Sequence, residues 1–299
     1  MTTDGIADSY NDSSVLFRVL GQVGWGDLVN VGYVTWPTLP LALGGLGRFQ
    51  RRLVRRSLAL LDARPGEVVL DACCGRGLTT AWLARQGCRV LGVDVQPEQV
   101  AEARKRFGHE PGARFAVVDV TAPPPTAGDV DLSDGSLDRV HCLEAAFHFG
   151  ADGRRAFLAN TYRLLRPGGR LVLVDFTWRD PDPTTITALD PAGLVRATWH
   201  FEEFEPLDRY LATAADVGFE VRAVHDWTPH ALAHYGRAAP VVRRVLSTGV
   251  GRRAAGLVRP ALADLSTEDW QHLVRLVDAH VAALVTPCRY SALVLDKPL

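Results

Sequence analysis

VVLDACCGRGLTTAWLARQGCRVLGVDVQPEQVAEAR, residues 68–104, decides the fold. Val68, Val69 and Leu70 form the short buried run that a parallel strand needs. The run stops at Asp71, where a chain leaving the sheet edge is expected to meet solvent. Cys73 to Gly77 then make a turn. Gly75 and Gly77 lack a β-carbon, so the backbone can bend sharply and approach a ligand, while the helix opening at Leu78 points free N–H groups outward. Val90 to Val93 form a second strand ending at Asp94. A carboxylate there, about 20 residues beyond the turn, is placed to accept hydrogen bonds from two ribose hydroxyls. The unit is therefore expected to bind a nucleoside. A dinucleotide site wants G-x-G-x-x-G to clear a pyrophosphate. The string D-A-C-C-G-R-G has an acid at its opening and only two glycines at its close, which suits a cationic or amine-bearing ligand instead.

That string resembles motif I of the class I S-adenosylmethionine (SAM) dependent methyltransferases, D/E-x-G-x-G-x-G, with Cys73 in place of the first glycine. The resemblance continues through a helix over Gln96 to Phe107 and a third strand over Arg114 to Val118, which leads to Asp119 and Val120. LSDGSLDRVHCLEAAFHF, residues 132–149, resembles the family's next stretch and predicts a fourth strand over Val140 to Leu143. YRLLRPGGRLVLVDF, residues 162–176, resembles its helix, Pro-Gly-Gly turn and fifth strand. Proline cannot continue a helix and glycine supplies a positive φ, so Pro167-Gly168-Gly169 is expected to stop the helix. Gly218 to Asp226 and Tyr290 to Lys297 read as antiparallel last strands. The resemblance implies an α/β fold: a Rossmann-like, seven-stranded, mostly parallel sheet with helices on both faces, an N-terminal helical segment and an inserted helical cap. It also implies SAM as cofactor, S-adenosylhomocysteine as product, and a cofactor site made of Tyr33, Asp71, Ala72, Cys73, Gly75, Gly77, Asp94, Val95, Gln96, Asp119, Val120, Leu143 and Glu144.

Composition narrows the partners. The chain has 299 residues, is 47% hydrophobic and carries a formal net charge of −1, which argues against nucleic acid. Arg51, Arg52, Arg55 and Arg56 cluster beside Leu53, Leu58 and Leu61 at helical spacing and read as a solvated helix face. Asp4, Asp8 and Asp12 in the first residues, and the lack of any long uncharged apolar run, predict a soluble, cytoplasmic protein with no membrane partner. The five cysteines fit neither a disulfide framework nor a zinc spacing. No metal is expected, and a homo-oligomer is compatible with the sequence.

Six stretches follow: an N-terminal helical or lid segment (1–62), the cofactor-binding core (63–176), a first cap piece (177–215), a core strand (216–227), a second cap piece (228–287) and the last core strand (288–299). In the first, Tyr33 has two readings: a residue that folds over the cofactor, or an aromatic that packs this segment onto the core. The cap holds Trp178, Trp199, Phe201, Phe204, Trp227, Tyr235 and Trp270, consistent with a small, largely apolar acceptor under a lid.

Methyl transfer to a hydroxyl needs a base, and His148, just past the fourth strand, is the candidate. EAAFHF resembles the family's E-S-L-H-H-M, where a histidine serves as base in sugar O-methyltransferases of the rebeccamycin type. Asp175, ending the fifth strand, resembles the family's carboxylate beside the acceptor hydroxyl, so His148 and Asp175 are expected to pair. His200 is a weaker acceptor contact, and His230 and His234, four apart, lack a third metal ligand. The expected function is SAM-dependent methylation of a small acceptor in bacterial secondary metabolism, resembling the sugar O-, sarcosine N- and tocopherol C-methyltransferase group. Hydroxyl oxygen is favoured. Carbon methylation, with or without a cyclisation, and a non-catalytic SAM-binding protein are the alternatives. A dehydrogenase would need the missing third glycine.

Overall fold

The computed structural model describes residues 15–22, 28–35, 45–128 and 130–299. The quoted stretch folds as strand, turn, helix, strand and helix: β1 (Val68–Ala72), α3 (Leu78–Arg85), β2 (Arg89–Asp94) and α4 (Pro97–Phe107). Ahead of it come α1 (Val15–Gln22) and α2 (Gly47–Leu61). Then follow β3 (Ala113–Val117), a ribbon of β4 (Thr126–Ala127) and β5 (Val130–Asp131), β6 (Leu137–Leu143), α5 (Gly150–Leu164) and β7 (Leu165–Trp178). The C-terminal part holds α6 (Ile186–Leu189), α7 (Leu194–Trp199), α8 (Leu207–Val217), β8 (Glu220–Asp226), α9 (Thr228–Ala231), α10 (Ala233–Ser247), α11 (Gly249–Val258), α12 (Thr267–His280) and β9 (Cys288–Asp296).

Seven strands form one sheet in the order β3-β2-β1-β6-β7-β9-β8. Only β9 runs against the others: it is antiparallel to β7 and to β8. The two last strands are thus antiparallel to one another, but β8 keeps the direction of the parallel set. Side chains alternate between two cores, as the pleat requires. Val69, Val90, Val172, Val174 and Val294 pack under α2, α3 and α4, through residues such as Leu53, Leu83 and Val100. Leu70, Leu91, Val140, Leu171, Leu173 and Leu295 pack under α5 and α8, against Phe157, Leu158, Tyr210 and Ala214.

Two expectations change in detail. Helix α5 already ends at Leu164, and Pro167-Gly168-Gly169 lies in the irregular start of β7. There the pairing with β6 jumps from Leu137↔Leu165 to Arg139↔Arg170. Gly168, at φ 76°, donates its N–H to the Lys297 carbonyl at 2.9 Å, so the glycine turn seats the C-terminus. Asp71 does not meet solvent. Strand β1 runs on to Ala72, and Asp71 is 2% exposed.

A third apolar cluster holds the cap together: Leu262, Trp270 and Leu273, with Val15, Leu16, Val19 and Leu246 against them. Helix α1 thus packs with the second cap piece. Among the described residues no helix is long and apolar enough to cross a membrane.

Candidate active site

The glycine turn shows why each of its residues stands where it does. Cys73, Gly75 and Gly77 all have positive φ, at 58°, 51° and 80°. Cysteine in the left-handed region costs about 1–2 kcal/mol that glycine would not, which is why the motif resembled here prefers glycine at that position. Gly77 is wedged: a β-carbon there would lie 2.7 Å from Phe115 Cε1 and 2.8 Å from the Ala103 β-carbon. Gly75 faces open space, with nothing within 4 Å of where its β-carbon would be. Beside that space stands Asp94, at the end of β2. Its Oδ2 accepts from Gly75 N at 3.0 Å and its Oδ1 from Gln96 N at 3.0 Å. Burial raises its pKa, against the pull of those amides. The Val95 amide also donates to this carboxylate, so three backbone N–H groups hold it in place. The open side of Gly75 and the fixed Asp94 carboxylate thus fit a nucleoside such as SAM at the carboxyl ends of β1 and β2.

The remaining residues expected at the cofactor line the same edge of the sheet. Ala72 and Val120 are buried, Val95 and Leu143 half-buried, and Gln96 buried. The exposed Asp119 accepts from Thr121 N and Oγ1 through Oδ1, at 2.8 and 2.7 Å. Tyr33 is packed: its ring stacks on His230 at 4.5 Å, meets Trp227 edge-on and lies under the Arg56 guanidinium at 4.3 Å. These contacts are those of the packing reading.

Asp71 is held from two sides. Thr80 Oγ1 donates to its Oδ2 at 2.6 Å, and His141 Nδ1 lies 3.1 Å from its Oδ1. His141 Nε2 in turn lies 2.9 Å from Ser57 Oγ, whose own proton goes to the Val54 carbonyl. This Ser-His-Asp order is not a nucleophilic triad, because Ser57 is fully buried and no substrate reaches it. The network ties β1, α2, α3 and β6 beneath the glycine turn. No spacing pattern marks it, since Asp71 and His141 are 70 residues apart. His141→Ala removes one partner of a buried carboxylate and opens a void. It is expected to cost about 3 kcal/mol or more in chemical denaturation.

His148 and Asp175 do not form the expected pair. His148 Nδ1 engages the His200 carbonyl at 3.2 Å, its ring lies against Phe147, and burial lowers its pKa to about 4. A base that weak removes an alcohol proton poorly at neutral pH. Asp175 follows the pleat to the face of β7 opposite Phe176. There it accepts from Phe176 N at 2.8 Å and from the Phe147 amide, and has Tyr210 Oη at a long 3.5 Å. Burial pushes its pKa to about 7. Its place is beneath the loop that follows β6.

The carboxylate that reaches the cavity under the cap is Glu144. A cavity of about 420 Å³ lies between the sheet edge and the cap, walled by Phe147, Phe176, Trp199, Phe204, Trp270 and aliphatic residues of α1, α10 and α12. Glu144, Tyr235 and His280 are its polar members, and Glu144 is the only carboxylate among the described lining residues. Tyr235 Oη donates to the Val31 carbonyl. His280 takes the Trp199 N–H on Nε2 at 2.7 Å and donates from Nδ1 to the Leu276 carbonyl. Glu144 sits at φ 50°, a strained conformation of the kind found at functional sites. Its Oε1 accepts from Val31 N at 3.0 Å and from Tyr290 Oη. Burial raises its pKa to about 8, against those two donors and with a push from Asp175. Of the cap aromatics, Trp199, Phe204, Tyr235 and Trp270 line the cavity, whereas Trp178, Phe201 and Trp227 are core.

A methyltransferase domain model matches residues 69–169, the span that holds the glycine turn, Asp94 and Glu144. The O-methyltransferase cnsE of Penicillium expansum is 33% identical over 209 residues, 67% of this chain and 68% of that protein. The chain is a class I SAM-dependent methyltransferase. The methyltransferase GfsG of Streptomyces halstedii is 29% identical over 225 residues, 74% of each chain. A solved geranyl diphosphate methyltransferase, in complex with GPP and sinefungin, superposes with a TM-score of 0.67 at 20% identity, covering 98% of this chain and 97% of that one. The enzyme uses SAM as its methyl donor.

Proposed function

We propose that this methyltransferase acts on a small, largely apolar acceptor in bacterial secondary metabolism, at a hydroxyl oxygen presented to Glu144. One observation carries the reading: among the described lining residues a single carboxylate, its pKa raised to about 8, faces a cavity whose walls are mostly apolar. When bound, SAM supplies a methyl group on a sulfonium. Asp94 would accept the ribose hydroxyls, with the Gly75 backbone against the nucleoside, and Cys73, Leu143 and Asp119 around it. The apolar wall would orient the acceptor and exclude water, which matters for an in-line displacement. Glu144 would take the hydroxyl proton on Oε2, while Tyr290 and Val31 hold Oε1. Asp175 positions the loop, and His148 braces the cap through the His200 carbonyl.

A second reading has carbon as the acceptor atom. The aromatic faces of Phe147, Phe176, Trp199 and Phe204 and a carboxylate in reach would stabilise cationic character on a terpenoid or aromatic substrate. Incubation with methyl-labelled SAM and a panel of apolar alcohols, phenols and olefins separates the two. A methyl ether supports the first, a new carbon–methyl bond supports the second, and transfer only to strongly charged acceptors overturns both.

Asp94→Ala tests the cofactor site alone. Losing the ribose carboxylate is expected to weaken SAM binding about 100-fold in calorimetry, about 2.7 kcal/mol. Unchanged affinity would remove Asp94 from the cofactor site.

A further inference from the structure

Helices α10 and α11 are out of keeping with the rest of the fold. Neither contains a single buried residue. They nevertheless display large apolar side chains: Val241 is 65% exposed, Val250 79%, Leu257 86% and Val258 69%. Between these stand Arg237, Arg243, Arg244, Arg252, Arg253 and Arg259. Residues 233–260 contain no Asp or Glu, in a chain whose formal net charge is −1. Among the described residues, the ion pair seen for these arginines is Arg243 with Asp278, 3.9 Å apart, with both side chains more than half exposed. Such a contact contributes little.

We propose that the α10–α11 face docks on an anionic lipid bilayer, with arginines on lipid phosphates and Val241, Val250, Leu257 and Val258 in the acyl boundary. Apolar side chains interleaved with cations and free of anions are the composition of interfacial helices. Each arginine gains from the negative surface potential of an anionic leaflet. A second copy of the chain is a poorer occupant, because a twofold contact sets the same patch against itself and opposes like charges. An acidic protein would satisfy the arginines. The bilayer is preferred because α10 also lines the cavity, through Ala238, Ala239, Val242 and Leu246. Val242 is itself 39% exposed, so the apolar space reaches the surface along this helix and an apolar acceptor dissolved in lipid would enter there. That preference rests on the apolar-acceptor reading above. The expectation of no membrane partner came from the lack of a spanning run, which surface docking does not need.

Co-sedimentation of the full chain with phosphatidylcholine vesicles, with and without phosphatidylglycerol, tests the proposal without SAM or acceptor. Its failure is therefore distinct from a failure of the methyl-transfer assay. Binding is expected only with the anionic vesicles, lost at about 1 M salt, where the Debye length falls to about 3 Å. Arg244→Glu with Arg253→Glu is expected to weaken it more than tenfold, and Val250→Ser with Leu257→Ser severalfold, with SAM affinity unchanged in both. No binding to anionic vesicles, or binding that both double variants retain in full, would overturn the proposal. So would a dimer in sedimentation velocity that Leu257→Ser dissociates.

Discussion

Glu144→Gln is expected to lower the rate of methyl transfer by about 10²–10³-fold while leaving SAM affinity within about threefold, the range for loss of a positioned base. Glutamine keeps the shape and the acceptor oxygen for Val31 N and Tyr290 Oη, so the loop and cavity should hold. The pH profile identifies the group. With a pKa raised to about 8, Glu144 is mostly protonated at pH 6 and ionised at pH 9. Wild-type activity should therefore climb through about pH 8, and the residual activity of the variant should not. Stability runs the other way. A carboxyl whose folded pKa lies above its ordinary 4.5 holds a proton that the unfolded chain has lost between about pH 4.5 and 8. Wild-type stability thus falls across that window relative to Glu144→Gln, and denaturation at pH 5 and pH 9 should show the difference. A flat wild-type profile with full activity in the variant would return the base to His148 or dispense with one, as carbon methylation could.

The nucleoside half of the candidate site is legible in the sequence because it is local. Gly75, Gly77 and Asp94 lie on one strand-turn-helix-strand unit, where spacing alone sets position. The seven-stranded, mostly parallel sheet was an expectation of the family resemblance, and the structure has it. What the sequence could not carry was burial and pairing at a distance. Asp71 reads as an exposed acid at a strand end, yet His141 and Thr80 hold it inside. His148 reads as a base because histidine titrates near neutrality, but the packing around its ring lowers its pKa to about 4. Glu144 reads as a cofactor contact, and only the cavity opening beside it marks it out for chemistry. Its signal was there in one respect, as an acid at the carboxyl end of a central strand, where open α/β sheets place their ligands. The cap aromatics divide between core and cavity by orientation, which their spacing along the chain does not encode. The net charge of −1 hid the basic, acid-free run of α10 and α11 by averaging it away.

The two glycines of the turn should fail in different ways, and the contrast tests whether the open side of Gly75 belongs to the cofactor. Gly77→Ala drives a β-carbon into Phe115 and Ala103 at less than 3 Å, at φ 80°. Neither neighbour can withdraw: Ala103 is fully buried on α4, and the Phe115 ring packs in the same core. The cost should be about 3 kcal/mol, from left-handed strain plus overpacking, and should appear as a lower denaturation midpoint with or without SAM. Gly75→Ala meets nothing within 4 Å, so only the strain of about 1–2 kcal/mol applies and the apo protein should unfold close to wild type. The new methyl instead enters the space where a nucleoside would pass over the turn. SAM affinity should then fall at least 30-fold, and with it the stabilisation that ligand confers on the wild type. If Gly75→Ala bound SAM normally and Gly77→Ala alone lost it, the nucleoside would lie elsewhere, and the open side of Gly75 would be a feature of the turn without a ligand.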